Sequence, residues 1–227
     1  WMAVVQIQPP PSNQMFPNMA ELLGVRGDYV GTGADLSPGT LLAAYSLGMF
    51  PMPTSDAGHG MDWWCPERRG VLPLSKLRVS RSMRASAKRY EIRVDTAFEQ
   101  VVVRCGTVRD EGNWIDDAIL AAYCELHRLG WAHSVETWLE GRLVGGLYGV
   151  ALGGLFAGES MFHLERDASK VALMGLVDRL NDGHPDRLLD VQWWTPHLGS
   201  LGVIEVTRAD YLARLTRALD LPPPPLG

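Results

Sequence analysis

Apolar and polar residues alternate over short runs in the second half of the chain, and this pattern predicts three consecutive strands. Residues 134–138 alternate, residues 143–152 follow a Glu-Gly turn, and residues 155–162 follow a Gly-Gly turn. Short turns of this kind join antiparallel strands. The centre of the protein is therefore predicted to be an antiparallel sheet.

Helices are predicted where apolar residues recur at intervals of three and four positions. The candidates are residues 80–90, 96–105 and 116–129, a helix that Asp167 caps, and residues 211–219. Short strands are predicted at 92–94 and around Asp190. Antiparallel strands followed by a helix and a further strand favour an α+β fold.

The first part of the chain has a weaker pattern and predicts a separate small unit. Ser37-Pro38 is typical of a helix start, and Gly48 ends the apolar run that follows. Pro and aromatic residues crowd the stretch 49–66, so we expect no long regular structure there. We therefore divide the chain into a disordered extension (1–18), a small N-terminal domain (19–70), a larger domain (71–220) and a disordered tail (221–227).

Composition and charge narrow the class of protein. Hydrophobic residues make up 46% of the 227 residues, charged residues make up 21%, and the net charge is -5. Contact with a nucleic acid would therefore need a local basic patch. The 3 Cys and 6 His show neither a C-x-x-C pair nor the spacing of zinc ligands, so we expect reduced thiols, a cytoplasmic location and no metal. No run of residues is long and apolar enough to cross a membrane.

Asp190 and Gln192 form the first candidate site. They lie two positions apart in an apolar segment, so on a strand their side chains would project from one face, roughly 7 Å apart. Burying an acid and an amide costs free energy unless both have partners. The pair is either part of a functional site or a buried polar network that fixes the fold, and the residues alone slightly favour the network.

Glu159 forms the second candidate site, because it places a carboxylate in an apolar strand. By strand alternation Leu155, Ala157, Glu159 and Met161 share one face. Glu159 is either a polar anchor at the bottom of an apolar pocket or half of an ion pair with an arginine elsewhere. The helical stripe of Leu173, Leu176 and Leu180 is typical of plain core, but part of it could line such a pocket.

A basic run is the third feature. It contains Arg78, Arg81, Arg84, Lys88, Arg89 and Arg93 against the single acid Glu91. Arg81, Arg84 and Lys88 fall on one helix face, which would suit contact with a phosphate backbone. The commoner meaning of such a run is a solvated basic face, and both interpretations stay open.

Tryptophans outside the apolar runs are the fourth feature. Trp63, Trp64 and Trp114 stand beside Pro, Gly or charged residues. Such rings either stack on a purine base or simply pack a loop. Phosphate-binding glycine loops and nucleophile-elbow motifs are absent from the sequence, which gives no support to those enzyme classes.

Short motifs spread over roughly residues 27–213 closely resemble the leucyl/phenylalanyl-tRNA–protein transferase family in order and spacing. They are Ala44-Tyr45-Ser46-x-Gly48-x-Phe50-Pro51, Trp63-Trp64-Cys65-Pro66, Ser80-Arg81-Ser82-Met83, Glu111-Gly112-x-Trp114-Ile115, Ala132-His133-Ser134-Val135-Glu136, Gly145-Gly146-x-Tyr148-Gly149-Val150, Gly158-Glu159-Ser160-Met161-Phe162, Ala168-Ser169-Lys170 and Asp190-x-Gln192.

The resemblance implies a function and a fold. Such enzymes move Leu, Phe or sometimes Met from an aminoacyl-tRNA to the α-amine of a protein that begins with Arg or Lys, which marks that protein for cytoplasmic degradation. The implied fold is a small N-terminal α/β domain followed by an N-acetyltransferase-like (GNAT-type) domain, whose mixed, mostly antiparallel sheet is flanked by helices. We expect a monomer without cofactor or metal.

The resemblance also implies roles for the candidate residues. Asp190 would attract and orient the acceptor amine, and would either accept its proton through a relay or serve only as an anchor. Gln192 would hydrogen-bond the amine or the reacting carbonyl. Trp114 and one of Trp63 and Trp64 would contact the terminal adenosine. The basic residues Arg78, Arg81, Arg84, Lys88 and Arg89 would hold the acceptor stem. The aminoacyl pocket would be built from Leu147, Phe156, Glu159, Ser160, Met161, Leu173, Leu176, Leu180 and Leu189.

The chain departs from the family in the pocket, since Leu176 and Leu180 stand where Phe is frequent and Leu147 stands where Met is frequent. The pocket should still select an apolar side chain that is unbranched at Cβ, but the balance between Leu and Phe is open. Two other functions compete. An acetyl-CoA-dependent N-acetyltransferase would need a pyrophosphate loop that we do not find, and a non-catalytic tRNA- or peptide-binding module would not need Asp190 and Gln192.

Overall fold

The computed structural model describes residues 5–54, 60–107 and 115–226. A short 3₁₀ helix covers Leu74–Lys76. The α-helices are α1 (Met19–Gly24), α2 (Pro38–Ser46), α3 (Arg81–Ala87), α4 (Phe98–Thr107), α5 (Asp117–Arg128), α6 (Ala168–Leu180), α7 (Pro196–Ser200) and α8 (Arg208–Leu219). The strands are β1 (Tyr29–Thr32), β2 (Phe50–Pro53), β3 (Met61–Trp64), β4 (Arg68–Val71), β5 (Glu91–Val94), β6 (Ala132–Leu139), β7 (Arg142–Leu152), β8 (Leu155–His163), β9 (Leu188–Asp190) and β10 (Ile204–Thr207).

The larger sheet has the strand order β10-β4-β9-β8-β7-β6-β5. Strands β8 and β9 pair in parallel, and the other neighbours in the described part of this sheet pair antiparallel. Helix α6 packs on β6, β7 and β8, and α4 packs on the same strands. The predictions of an α+β fold and of a mixed, mostly antiparallel sheet flanked by helices are therefore confirmed.

Two hydrophobic clusters lie on opposite faces of this sheet. Leu188 and Leu155 belong to the cluster that contains residues of α2, α4, α5 and α8. Their chain neighbours Leu189 and Phe156 belong to the cluster that contains residues of α6. Successive strand residues point to opposite faces, so each cluster fills one side of the sheet. The α6 side is the one that matters for the candidate site.

The smaller sheet is antiparallel with the order β1-β3-β2. In the described part of the stretch 49–66, where we expected no long regular structure, β2 and β3 are strands of four residues each, and they pair from Phe50 to Pro53. Strand β2 lies at the edge of the sheet, where a proline without an N–H is tolerated. Strand β4 pairs with β10 and β9 in the larger sheet. The division between domains at residue 70 thus falls inside a strand, and the domain boundaries stay a prediction.

In their described residues, 5–18 and 221–226, the two segments that we expected to be disordered lack helix and strand but touch the folded part. The Ile7 amide donates to the Leu129 carbonyl at 2.9 Å, and the Trp131 indole donates to the Ile7 carbonyl at 2.8 Å. Near the other end of the described chain, the Arg187 guanidinium donates to the Pro222 carbonyl, and Leu226 is buried in the α6-side cluster. Both segments therefore cover apolar surface.

A β-bulge interrupts the pairing of β7 with β8. Tyr148 pairs with Ser160 while the next residue, Gly149, pairs with Gly158, so Glu159 is an extra residue without a partner across the ladder. Only glycine fits at position 149, because a Cβ there would lie 2.3 Å from the Ala157 carbonyl oxygen. The bulge therefore depends on close approach of the two backbones.

The bulge reverses the faces of β8 on its two sides. Leu155 and Ala157 belong to the cluster on the α4 side, whereas Met161 packs against the cluster on the α6 side. The prediction that Leu155, Ala157, Glu159 and Met161 share one face was therefore wrong. One inserted residue shifts the alternation of every side chain that follows it.

Candidate active site

A cavity of about 290 Å³ opens on the α6 side of the larger sheet, next to the bulge. Its wall includes eight of the residues that we expected at the site: Leu147, Glu159, Ser160, Met161, Leu173, Leu176, Leu189 and Gln192. Glu159 and Gln192 contact each other and form a polar end of this wall, and most of the other lining residues are apolar. The structure thus brings most of the expected pocket residues together, although they come from β7, β8, α6, β9 and the loop after β9.

Several expected residues do not line this cavity. Phe156 and Leu180 are buried behind it in the same apolar cluster. Asp190 lies beneath it and is fully buried. Trp114 falls outside the described residues. Trp63 and Trp64 lie in the smaller sheet and are treated below.

Sequence reasoning missed the residues that form the mouth and far wall of the cavity. They are Phe50, Pro51 and Met52 of β2, together with Leu72, Val191, Trp193, Thr195, Leu198 and Val203. Residues 50–52 lie in the stretch where we expected no long regular structure, and their role depends on β2 pairing with β3, which the sequence pattern did not reveal. The double tryptophan after Gln192 was the one visible signal for this rim.

Glu159 is held by two tyrosines that come from different helices. Tyr45 of α2 donates to Glu159 Oε1 at 2.6 Å, and Tyr123 of α5 donates to Glu159 Oε2 at 3.2 Å. The two hydroxyl oxygens also lie 2.5 Å from each other. No arginine forms an ion pair with Glu159 among the described residues. The alternative of a structural ion pair is therefore not realised.

Burial dominates the electrostatics of Glu159. Desolvation raises the pKa of its carboxyl group to about 7, against the lowering effect of the hydrogen bond that Tyr45 donates. The same surroundings raise the pKa of both tyrosines well above the ordinary value, first through burial and then through the nearby carboxylate. At neutral pH the Glu159 carboxyl group is consequently poised between its charged and neutral forms.

Asp190 is in a different environment, because a buried arginine pairs with it. Arg69 of β4 donates to both carboxylate oxygens, from Nε at 2.8 Å and from Nη2 at 2.5 Å. The Tyr211 hydroxyl adds a third hydrogen bond at 2.9 Å, and the Gln192 amide adds a fourth. Asp190 has 0% and Arg69 has 1% of its surface exposed. The four donors fill the acceptor positions of this carboxylate.

The Arg69 guanidinium contacts two aromatic rings in addition to the Asp190 carboxylate. Its guanidinium lies over the rings of Phe50 and Tyr211, 4.7 and 4.4 Å from their centroids, and its Nη1 donates to the Gly48 carbonyl. Burial alone would lower the pKa of Arg69, but the charge of Asp190 more than compensates, so its pKa is raised. Arg69 is therefore positively charged at every relevant pH.

Gln192 connects the two carboxylates. Strand β9 ends at Asp190, and Gln192 follows in the left-handed backbone region with φ 58°. The prediction that Asp190 and Gln192 project from one strand face was therefore wrong. The Gln192 backbone amide donates to Asp190 Oδ1 at 2.9 Å, while its side-chain amide donates to Glu159 Oε1 at 3.3 Å. Asp190 thus fixes a turn that directs the Gln192 side chain towards the cavity.

The basic run forms an exposed face on and around α3. Its residues Arg78, Arg81, Arg84, Lys88 and Arg89 are exposed. Met83 on the other side of α3 is buried in the cluster that also contains Leu173, Leu176 and Leu189 of the cavity wall. The basic face therefore belongs to an element that packs against the cavity wall from outside.

Asp167 ties α3 to α6. Asp167 is the N-cap residue of α6, as predicted, but it has φ 61° and its side chain makes no capping hydrogen bond. Its carboxylate instead accepts hydrogen bonds from Ser82 at 2.6 Å and Ser86 at 3.2 Å, both on α3. These bonds, with one from Lys170, lower the pKa of Asp167. The contact fixes the orientation of the basic helix.

The two tryptophans of β3 differ in exposure. Trp63 has 3% of its surface exposed, donates to the Gly33 carbonyl and packs edge-on against Phe16. Trp64 is partly exposed and packs edge-on against Trp193, with centroids 5.8 Å apart. Trp64 therefore lies behind a residue of the cavity rim, whereas Trp63 is covered.

The described residues contain neither a helix that could span a membrane nor a cluster of metal ligands. No helix in residues 5–54, 60–107 and 115–226 is long and apolar enough to span a membrane. In the same residues, no three His, Cys, Asp or Glu side chains are grouped so that they could hold a metal ion. The cysteines Cys65, Cys105 and Cys124 are free thiols.

Comparison with known proteins identifies the family. The model of the leucyl/phenylalanyl-tRNA protein transferase matches residues 71–216, and the model of its N-terminal domain matches residues 34–67. The chain belongs to this family. The resemblance that the sequence motifs indicated is thereby confirmed.

Curated relatives of the family match most of the chain. The chain is 53% identical to a leucyl/phenylalanyl-tRNA–protein transferase of Rhizorhabdus wittichii, over 81% of this chain and 75% of the relative. It is 45% identical to one of Azoarcus sp., over 92% of this chain and 90% of the relative. Among solved structures, that of L-PGS from Bacillus licheniformis matches with a TM-score of 0.36 at 14% identity, covering 69% of this chain and 53% of that chain, a likeness too weak to carry an argument.

Proposed function

We propose that this enzyme transfers an aminoacyl group from an aminoacyl-tRNA to the N-terminal α-amine of a protein. Membership of a family named for this transfer supports the activity. The observation that carries the proposal is the cavity, which has an apolar wall for a side chain and groups Glu159 and Gln192 at its polar end. Such a site suits a substrate with an apolar side chain beside a reacting polar centre.

The donors are proposed to carry Leu, Phe or Met. Leu147, Leu173, Leu176 and Leu189 surround the position of the side chain. A wall of branched leucines suits a side chain that is unbranched at Cβ, and rejection of Val or Ile by one methyl group is worth about 1–3 kcal/mol. Leu176 lines the cavity directly, so it is the residue best placed to set the balance between Leu and Phe.

The reaction needs little beyond positioning and proton transfer. An aminoacyl ester is already activated, so an oriented amine can attack it without a covalent enzyme intermediate. Gln192 is proposed to orient this amine at the polar end of the cavity. Asp190 does not line the cavity and its oxygens are occupied by four donors, so we assign it as a positioning residue that acts through the backbone of Gln192.

The tRNA is proposed to meet two surfaces. The exposed basic face of α3 offers cations to the phosphates of the acceptor stem, and its own helix packs against the cavity wall. The terminal adenosine is proposed to lie at the cavity rim near Met52 and Trp193, with Trp64 behind it. Trp63 is covered, which supports a packing role for that ring.

The remaining parts of the proposal concern the acceptor and the setting of the enzyme. Acceptors are proposed to begin with Arg or Lys, and the product is proposed to be marked for degradation in the cytoplasm, where free thiols such as Cys65 persist. We propose that the larger domain is N-acetyltransferase-like (GNAT-type), that the small N-terminal domain supplies the rim through β2, and that the enzyme acts as a monomer without a cofactor.

A transfer assay tests this function. Labelled Leu and Phe on tRNA should be transferred to a peptide that begins with Arg and not to a matched peptide that begins with Glu. Gln192→Ala should reduce the rate by about 10²-fold or more, because the amine loses its orienting group. Glu205→Gln, an exposed change on β10, serves as the control.

Each rival function has its own outcome in this assay. Transfer from acetyl-CoA instead of aminoacyl-tRNA would establish an acetyltransferase. Binding of tRNA without transfer by the wild type would establish a binding module. Either result would require the proposed function to be withdrawn.

A further inference from the structure

The oxygens of Glu159, Tyr45 and Tyr123 form a closed ring of short contacts. Tyr45 lies 2.6 Å from one carboxylate oxygen, Tyr123 lies 3.2 Å from the other, and the two hydroxyl oxygens are 2.5 Å apart. The tyrosine rings are buried, whereas Glu159 lines the cavity. The carboxylate is therefore the member of the ring that a substrate can reach.

Proton counting shows that this ring is incomplete when Glu159 is ionised. Each tyrosine hydroxyl carries one proton, and an ionised carboxylate carries none. Two protons then have to serve three oxygen–oxygen contacts. One additional proton on Glu159 gives each contact its own hydrogen, since each of the three groups then donates to the next. The ring thus holds one proton more than its ionised form without any movement of heavy atoms.

We propose that Glu159 accepts the proton that the acceptor's α-ammonium group must lose, and that Tyr45 and Tyr123 are the residues that position it. This proposal rests on the proposed function. One N–H proton passes from the ammonium group to the Glu159 carboxylate. The nitrogen lone pair then forms the C–N bond to the ester carbonyl while the C–O bond to the ribose breaks. A second amine proton passes to the ribose oxygen, and Glu159 later releases its proton to solvent.

The surroundings of Glu159 suit this task. Besides the two tyrosines, the charged groups that act on it are Asp190 of β9, which disfavours its ionised form, and Arg69 of β4, which favours it. Gln192 donates its side-chain amide to Glu159, so an amine held at Gln192 lies next to the carboxylate. A general base is most effective when its pKa is close to the working pH. Burial raises the pKa of Glu159 to about 7, which meets this requirement.

Asp190 is a poorer acceptor of this proton than Glu159, because of its hydrogen bonds and its burial. Its two oxygens already accept hydrogen bonds from Arg69, Tyr211 and Gln192, and no part of its surface is exposed. A proton delivered to it would have to displace a donor of the buried ion pair. The free acceptor capacity in this part of the structure is at Glu159.

The first test measures the rate of single-turnover transfer with saturating aminoacyl-tRNA and Arg-peptide. The pH is varied over about 3.5 units, from about 5.5 to about 9, so that the range includes the pKa of the proposed base. Glu159→Gln keeps the shape and the contact with Gln192 but cannot take a proton. Its rate should fall by about 10²–10⁴-fold, and the rise in rate near pH 7 should disappear. Glu205→Gln should leave both the rate and the pH profile unchanged.

The second test keeps the base and changes the groups around it. Tyr45→Phe and Tyr123→Phe each remove a hydrogen bond that lowers the pKa of Glu159, so the rise in rate should move to higher pH. Tyr90→Phe is the matched control, because Tyr90 is also a buried tyrosine, but its hydroxyl donates to the Arg166 carbonyl in another cluster. If Glu159→Gln does not fold, these two variants alone decide the matter.

The outcomes separate this proposal from the proposed function. Loss of transfer by the wild type would overturn the proposed function itself. Transfer by the wild type, with Glu159→Gln retaining its rate within about threefold and its pH profile, would overturn the role of Glu159 alone, because a general base contributes at least about 10²-fold. An unmoved pH profile in both tyrosine variants would overturn the positioning role.

Discussion

Two carboxylates on neighbouring strands of one sheet have opposite surroundings. Asp190 of β9 is fully buried and paired with Arg69, whereas Glu159 of β8 lines the cavity and is held by two tyrosines. Ala157, two residues before Glu159, pairs directly with Asp190, so the two acids share one small region. The two acids therefore differ both in their partners and in their exposure.

One site thus places a salt-bridged carboxylate, Asp190, beside Glu159, whose pKa burial raises to about 7. A buried carboxylate that pairs with a buried guanidinium stays ionised and serves as a fixed support. A buried carboxylate without a cationic partner can gain and lose a proton near neutral pH, because desolvation raises its pKa. Gln192 touches both acids, through its backbone at Asp190 and through its side chain at Glu159. Asp190 thus positions Gln192, and Gln192 presents the substrate amine to Glu159.

The largest expected difference between the two acids is in stability. Asp190→Ala leaves the charge of Arg69 buried without a partner and should lower the free energy of unfolding by about 3–5 kcal/mol. Glu159→Gln replaces a partly neutral carboxyl group with an amide. It should change the free energy of unfolding by at most about 1 kcal/mol at pH 7. Urea denaturation measures both. Similar losses for the two variants would break the comparison.

The next effect is the pH dependence of stability. The pKa of Glu159 is about 7 in the folded protein, against the ordinary value of 4.5 that the carboxyl group has in the unfolded chain. Between these values the unfolded state binds fewer protons, so the free energy of unfolding should fall as pH rises from about 4.5 to about 7. One pKa unit corresponds to about 1.36 kcal/mol, and the partial exposure of Glu159 reduces the total to about 1–3 kcal/mol.

Glu159→Gln removes this contribution and provides the control. The difference in stability between wild type and variant should change across the window from pH 4.5 to 7 in favour of the variant. Denaturation at several pH values measures it. A constant difference across this window would show that the carboxyl titrates in its ordinary range.

A third prediction separates the apolar wall from the acids. Leu176→Phe reduces the cavity volume and leaves Glu159 and Asp190 unchanged. It should lower the transfer of Phe relative to Leu by about tenfold or more, because one methylene group in a pocket is worth about 1–3 kcal/mol. Competition between charged tRNAs measures the ratio. The pH profile should stay that of the wild type, and a shifted profile would mean that the wall and the base are not independent.

The smallest effect concerns the basic face. Arg81→Gln and Arg84→Gln should weaken the binding of tRNA, each reducing the slope of log K against log[salt] by about 0.7–0.9, without altering the rate at saturation. Arg104→Gln changes an exposed arginine on α4 and should have no effect. Unchanged binding by all three variants would mean that the basic face is only solvated.

Local sequence patterns predicted much of the fold. Helix α5 and strands β6, β7 and β8 occur close to their expected positions, because apolar periodicity and glycine turns depend on nearby residues. Strands β2 and β3 were missed, since prolines normally argue against a strand and their tolerance depends on β2 lying at an edge. The bulge at Glu159 was also missed, because it depends on how β7 approaches β8.

The site was predicted in its residue types but not in its partners. Asp190 and Gln192 were both recognised, yet Arg69 lies 121 positions from Asp190 in the chain, and no local pattern links them. Tyr45 and Tyr123 were similarly hidden within apolar helices, 114 and 36 positions from Glu159. The sequence therefore indicated where polar groups occur, whereas their roles depended on contacts made across the fold.

The most direct measurement is the titration of Glu159 by NMR of the wild-type protein carrying ¹³C-labelled glutamate carboxyl groups, with Glu159→Gln used to assign the signal. A proton acceptor in the ring with Tyr45 and Tyr123 should titrate with a midpoint at about pH 7. A midpoint near the ordinary value of 4.5 would contradict the account, because Glu159 would then be ionised throughout the working pH range and could not serve as the proton acceptor.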